Sequence, residues 1–257
     1  MPPPSPPALH VEGVAVRFGG NVVLHEVSLV AEPGRVTALI GPNGAGKTTL
    51  LNAITGFVRS QQGSVRFGDT VLTGRSVPAV AATGIGRSFQ SGHVFTDLTV
   101  RENLLGPHGL GSFATAWREF VGTQRGRAER RAAEEAAERM AERLGLAHLL
   151  DTRAGDLAAG AQKLVDLGRA MVGGPAMLLC DEPAAGLSAS ERATIARLLR
   201  DQVADGSRGV LLIDHDMRFV METCDTVHVL NFGELIASGP PEVVQKDALV
   251  IAAYLGA

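Results

Sequence analysis

The chain has 257 residues, 45% hydrophobic and 20% charged, and 24 basic against 27 acidic side chains give it a net charge of −3. Such a composition is ordinary for a soluble α/β protein with a sizeable core, and its slightly acidic balance argues against a general polyanion or nucleic-acid binder. No apolar run approaches the ~20 residues that a membrane-spanning helix needs, and the two cysteines, Cys180 and Cys224, suit a reducing compartment.

Residues 1–8 open with Met1-Pro2-Pro3-Pro4-Ser5-Pro6-Pro7, which has neither the charge nor the apolar stretch of a signal peptide. They are expected to form a disordered, polyproline-like tail. Alternating and β-branched runs then predict strands over Val11–Phe18, Val22–Val30 and Val36–Ile40. The third is followed by Gly41-Pro42-Asn43-Gly44-Ala45-Gly46-Lys47-Thr48, and Thr49–Ile54 reads as a helix start. Strand, glycine loop and helix are the setting that the phosphate-binding pattern G-x-x-x-x-G-K-[ST] requires. Its glycines let successive backbone N–H groups and the helix N-terminus face phosphate oxygens. Lys47 would reach the β- and γ-phosphates, and the Thr48 hydroxyl would ligate Mg²⁺. The chain is therefore expected to bind a nucleoside triphosphate.

A further strand, Gly63–Phe67, ends at a Gly68-Asp69 turn signal. Helical character runs from about residue 91 to 172, strongest over Arg125–Leu149, where Ala136, Met140 and Leu144 keep a helical spacing. Strands and helices alternate again from Ala176: Met177–Cys180, Ala189–Gln202, Val210–Ile213, Met217–Met221 and Val227–Leu230. The order predicts an α/β core over 9–90 and 173–257, interrupted by a helical subdomain over 91–172.

Two of these strands deliver polar clusters. Met177-Leu178-Leu179-Cys180 runs into Asp181-Glu182, and a buried strand has no use for unpaired carboxylates. Beside a phosphate site, Asp181 would hold Mg²⁺ and Glu182 would take a proton from the attacking water. Leu211-Leu212-Ile213 likewise delivers Asp214-His215-Asp216, and His215 is read as a sensor of the γ-phosphate that positions the water. Gln90 closes Ile85-Gly86-Arg87-Ser88-Phe89-Gln90 at the junction with the helical region, where it would contact Mg²⁺ or water and sense subdomain rotation. Cys180, inside an apolar run, reads as a small core residue.

The phosphate loop, Gln90, Leu157-Ala158-Ala159-Gly160-Ala161-Gln162, Asp181-Glu182 and His215, in that order, resemble the ATP-binding subunit of an ABC transporter. The resemblance covers residues 9–257. Arg17-Phe18-Gly19-Gly20, Gly84–Gln90, Asp181–Leu187, His215-Asp216-Met217 and Ala253-Tyr254-Leu255-Gly256 narrow it to the LivG-type ATPase of branched-chain amino acid importers. It implies a P-loop NTPase core with a RecA-like sheet, an antiparallel β subdomain and the inserted helical subdomain. The implied ligands are ATP and Mg²⁺, with Gly41 to Thr49 around the phosphates and Phe18 stacked on adenine; a core role for Phe18 is the competing reading. The implied partners are transmembrane permease subunits, a second ATPase subunit in a homo- or heterodimer and, indirectly, a solute-binding protein. Peripheral association with the cytoplasmic face of the membrane follows.

Two departures from the family pattern stand out. The signature segment normally begins Leu-Ser, its hydroxyl and glycine amides contacting the γ-phosphate in the opposite subunit; Ala158 replaces that serine, Ala159 and Ala161 also differ, and Gly160 remains. Ser188 stands where Asn or Asp usually follows Leu187. Ala158, Gly160 and Gln162 are carried over as nucleotide contacts on this basis. A soluble, cluster-assembly type of ATPase and a catalytically weak regulatory cassette remain open, as does the solute. Phe113, Trp117 and Phe120 could meet a permease or pack within the helical subdomain.

Overall fold

Strands that are apolar almost throughout fold where both faces of a sheet are covered, and Val36–Ile40 (β3), Met177–Asp181 (β7) and Gly209–Ile213 (β8), polar only at Thr37 and Asp181, are buried at every position. The computed structural model describes residues 6–89, 94–106 and 124–255. Its six-stranded sheet has the order β10-β9-β3-β8-β7-β6, where β6 is Ile85–Ser88, β9 is Thr226–Asn231 and β10 is Glu234–Gly239. Five of these strands are parallel, and β10 runs antiparallel to β9. A second, antiparallel sheet of order β2-β1-β4-β5 is built from Leu9–Phe18 (β1), Asn21–Ala31 (β2), Gln62–Phe67 (β4) and Thr70–Val71 (β5).

The two-residue period of the strands divides the interior. Val36, Ala38, Ile40, Leu178, Cys180, Val210 and Leu212 face one core, which they share with the helices. Leu39, Met177, Leu179, Leu211 and Ile213 face the other, against the antiparallel sheet and helix α1 (Lys47–Ile54). Helices α3 (Val100–Leu105), α4 (Gln124–Leu144) and α5 (Ala159–Val172) pack on one another. Between β5 and β6 lies α2 (Val77–Ala81). After β7 come α6 (Ala189–Val203), α7 (Met217–Thr223), α8 (Pro241–Val244) and α9 (Ala248–Leu255).

The helix expected over Arg125–Leu149 ends at Leu144, because Gly145 takes a left-handed φ of 74°, and Ala147–Leu149 forms a separate 3₁₀ turn. Cys180 and Cys224 are both buried, and burial pushes both thiols up to about 12, so they act as core residues. No described helix is long and apolar enough to cross a membrane. Residues 1–5 of the expected tail, Gln90, and the aromatic trio Phe113, Trp117 and Phe120 lie outside the described residues.

Candidate nucleotide site

The phosphate loop and the polar clusters Asp181-Glu182 and Asp214-His215 leave the parallel sheet at the C-terminal ends of its strands, where open α/β sheets bind ligands. The phosphate loop follows β3, Glu182 follows β7, and Asp214-His215 follows β8. Gly46 caps α1 with a φ of 106°, and a Cβ there would meet Leu24 Cδ2 at 2.7 Å, so the turn into α1 requires glycine. Lys47 is buried and donates to the carbonyls of Gly41 at 2.7 Å and Pro42 at 2.9 Å, which holds its ammonium over the loop. Burial lowers its pKa, while Glu182 and Asp181 counteract that effect. Asn43, Gly44 and Thr48 are exposed, and Pro42 and Thr49 are half-buried. The hairpin that joins β9 to β10 braces the loop from behind, with Gly233 N–H donating to Ala45 O at 2.9 Å.

Asp181 is 3% exposed. Burial raises its carboxyl pKa; Arg87, the Thr48 hydroxyl and Lys47 pull it back down, and Glu182 adds to the rise. Its Oδ2 lies 3.7 Å from Arg87 Nη2, and its buried Oδ1 has no hydrogen-bond partner among the described residues. An orphaned carboxylate oxygen beside a hydroxyl is a donor set that suits a hard, oxygen-seeking divalent cation, so Asp181 and Thr48 fit Mg²⁺. Glu182 adopts a left-handed φ of 50°, at a cost of about 1 kcal/mol for a non-glycine residue. Its amide, donating to Ile213 O at 2.8 Å, fixes that conformation against the neighbouring strand. His215 Nδ1 lies 3.6 Å from Glu182 Oε2, with the carboxylate largely shielded and the imidazole half-exposed.

Two supporting residues escaped the sequence reading. Asp214 is fully buried; its Oδ2 accepts from Ala184 N–H at 3.4 Å and its Oδ1 from Asp216 N–H at 2.9 Å. It thereby ties the turn after Glu182 to the loop that carries His215. Arg87 on β6 is the other; in the sequence it reads only as part of the Gly84–Gln90 run, and its place beside Asp181 is what marks it out. The phosphate loop and His215 also border a cavity of about 870 Å³ that Phe232, Leu249 and Tyr254 help to line.

Ala158 is the N-cap of α5 and offers no side-chain cap. Gly160 sits against the Glu191 carboxylate, and Gln162 Nε2 donates back to Leu157 O at 3.1 Å. Glu191 in turn forms a capping box with Ser188. The signature segment is thus packed on the turn that follows Glu182. Phe18, at the end of β1, is 52% exposed, which removes the competing reading of a core aromatic.

Comparison with known proteins agrees with this geometry. The sequence profile of the ABC transporter family matches residues 24–185, and that of the branched-chain amino acid ATP-binding cassette transporter matches 234–257. The high-affinity branched-chain amino acid transport ATP-binding protein LivG of Escherichia coli (strain K12) is 38% identical over 98% of this chain and 99% of its own. BraF of Pseudomonas aeruginosa, described in the same words, is 36% identical over 98% and 99%. A nucleotide-free ATP-binding cassette from an ABC transporter superposes with a TM-score of 0.82 at 32% identity, covering 98% of this chain and 100% of that one. Another such cassette, in its ADP conformation, gives a TM-score of 0.82 at 33% identity over 98% and 99%.

Proposed function

Since this chain belongs to the ABC transporter family of ATP-binding subunits, we propose that it binds and hydrolyses ATP to energise an importer of branched-chain or related amino acids. The observation that carries the reading is the convergence of Lys47, Asp181, Glu182 and His215 at one sheet edge, with His215 Nδ1 3.6 Å from the Glu182 carboxylate. The loop amides and Lys47 bind the β- and γ-phosphates. Thr48 and Asp181, with Gln90, would hold Mg²⁺, which when bound neutralises charge on the phosphate oxygens. Glu182 accepts the proton of the attacking water at a carboxylate oxygen, and His215 orients that water and the carboxylate. Phe18 offers its exposed ring to the adenine.

A second ATPase subunit would complete each site through the signature segment headed by Ala158 and Gly160. Permease subunits would carry the solute, and the chain would sit peripherally at the cytoplasmic face of the membrane. The match of residues 234–257 to the branched-chain profile favours amino acids over other solutes. Co-expression with candidate permeases and a binding protein, followed by ATP-dependent uptake of labelled leucine into vesicles, tests the assignment. Uptake abolished by Glu182→Gln supports it. Stable assembly with soluble cluster-assembly proteins and none with permeases contradicts it.

A further inference from the structure

Arg87 is a hub that neither the phosphate loop nor the carboxylate motif accounts for. Its side chain is 8% exposed. One guanidinium nitrogen, Nη2, faces Asp181 Oδ2 at 3.7 Å, and the other, Nη1, donates to Thr55 Oγ1 at 2.7 Å, at the end of the helix that begins with Lys47. Arg87 Cζ lies 4.8 Å over the Phe89 ring centroid and 5.4 Å over that of Phe57, and the two rings meet edge to face. Phe89 N–H donates to Asp166 Oδ2 at 2.9 Å, and Asp166 Oδ1 accepts from Arg169 Nη2 at 2.7 Å. Arg169 in turn lies 5.1 Å over the Phe95 ring. Asp166 and Arg169 belong to α5, the helix that Ala158 caps.

We propose that Arg87 is a positioning residue that relays the occupancy of the Asp181 carboxylate to α5 through its stack on Phe89 and the Phe89–Asp166 hydrogen bond. A buried ion pair contributes little net stability compared with well-packed apolar groups, so its place beside a metal-holding carboxylate calls for another purpose. A divalent cation arriving at Asp181 competes with the guanidinium for the same negative charge. The weakened pair lets Arg87 shift along the two rings, and the Phe89 backbone carries the shift to Asp166. Lysine would keep the charge but lose the planar face and the fork that reaches Asp181 and Thr55 together. The inference rests on the nucleotide site proposed above and adds to it a link to the signature helix.

Hydrogen exchange on the full chain, with a non-hydrolysable ATP analogue plus or minus Mg²⁺, reads the relay directly. In the wild type, Mg²⁺ should change exchange both in residues 41–48 and in residues 159–172. In Arg87→Met the loop response should persist, while the α5 response is lost. Arg87→Lys should recover only part of it. Should Arg87→Met fail to fold, Phe89→Leu, which leaves the Asp181 partner in place, is expected to lose the α5 response in the same way. A full α5 response in either folded variant overturns the relay, as does a wild type in which the loop responds and α5 does not. A wild type without any loop response would instead overturn the nucleotide site itself.

Discussion

His215 Nδ1 and Glu182 Oε2 lie 3.6 Å apart on loops that leave two adjacent parallel strands, β8 and β7. Asp214, bonded to the amides of Ala184 and Asp216, fixes both loops, so neither side chain is placed by chance. If His215 orients the water and Glu182 takes its proton, His215→Ala should lower turnover by roughly 10²-fold, the lower end of a general acid–base contribution. Nucleotide affinity should stay close to wild type. Steady-state ATPase rates with calorimetric binding on the same preparation check both statements.

Lys47 is held over the phosphate loop by the Gly41 and Pro42 carbonyls, and its ammonium supplies the loop's fixed positive charge. A charge-assisted hydrogen bond contributes about 1.5 to 3 kcal/mol, so Lys47→Ala should weaken ATP binding roughly 10- to 100-fold without unfolding the chain. Calorimetric titration with ATP measures the change.

The N-cap position of Ala158 adds a consequence beyond its departure from the family's serine. A serine cap accepts a hydrogen bond from the first turn and stabilises a helix by about 0.5 to 2 kcal/mol. Ala158→Ser should therefore raise the melting temperature of the chain without nucleotide. Only a gain in dimer ATPase beyond that of an equally stabilised control reflects a new phosphate contact. Thermal melts of this variant and the wild type measure the gain in stability.

His228 supplies the pH dependence that is easiest to isolate. The buried ring lies with Nδ1 2.8 Å from Ser238 Oγ and Nε2 3.3 Å from Val30 O, and burial lowers its pKa below the ordinary 6.5. As pH falls below about 6.5, the unfolded chain takes up a proton that the folded chain resists, so this contribution to stability is lost on acidification and present above that pH. Burial of Asp181 and Asp214 raises their pKa values and acts in the opposite sense, so a comparison with a His228 variant is needed. Between pH 7.5 and 5.5 the melting temperature should fall further in the wild type than in His228→Gln.

The parts of the site that were legible in the sequence are those that one strand delivers at its end. Val36–Ile40 with its glycine loop, and the apolar runs before Asp181-Glu182 and Asp214-His215, state their own geometry. The strand Ile85–Ser88 was not legible as a strand, because three of its four residues are Gly-Arg-Ser, and Arg87 becomes buried through Asp181, Thr55 and Phe57, brought from elsewhere in the chain, together with its near neighbour Phe89. Asp214 was passed over for its neighbour His215, since a carboxylate that bonds only backbone amides has no pattern in one dimension. The helix stop at Leu144 was missed although Gly145 marked it, because strong helix formers on both sides masked a single left-handed residue.

Glu182 is proposed as the base of an ATP-hydrolysing site whose phosphate grip lies elsewhere, on Lys47 and the loop. Glu182→Gln separates the two, since the amide fills the same space but cannot accept the water's proton. ATP affinity by calorimetry and turnover by steady-state phosphate release should be measured on the wild type and this variant. Affinity should stay close to that of the wild type, and turnover should fall by about 10² to 10⁴. Unchanged turnover in a variant that still binds ATP would contradict it.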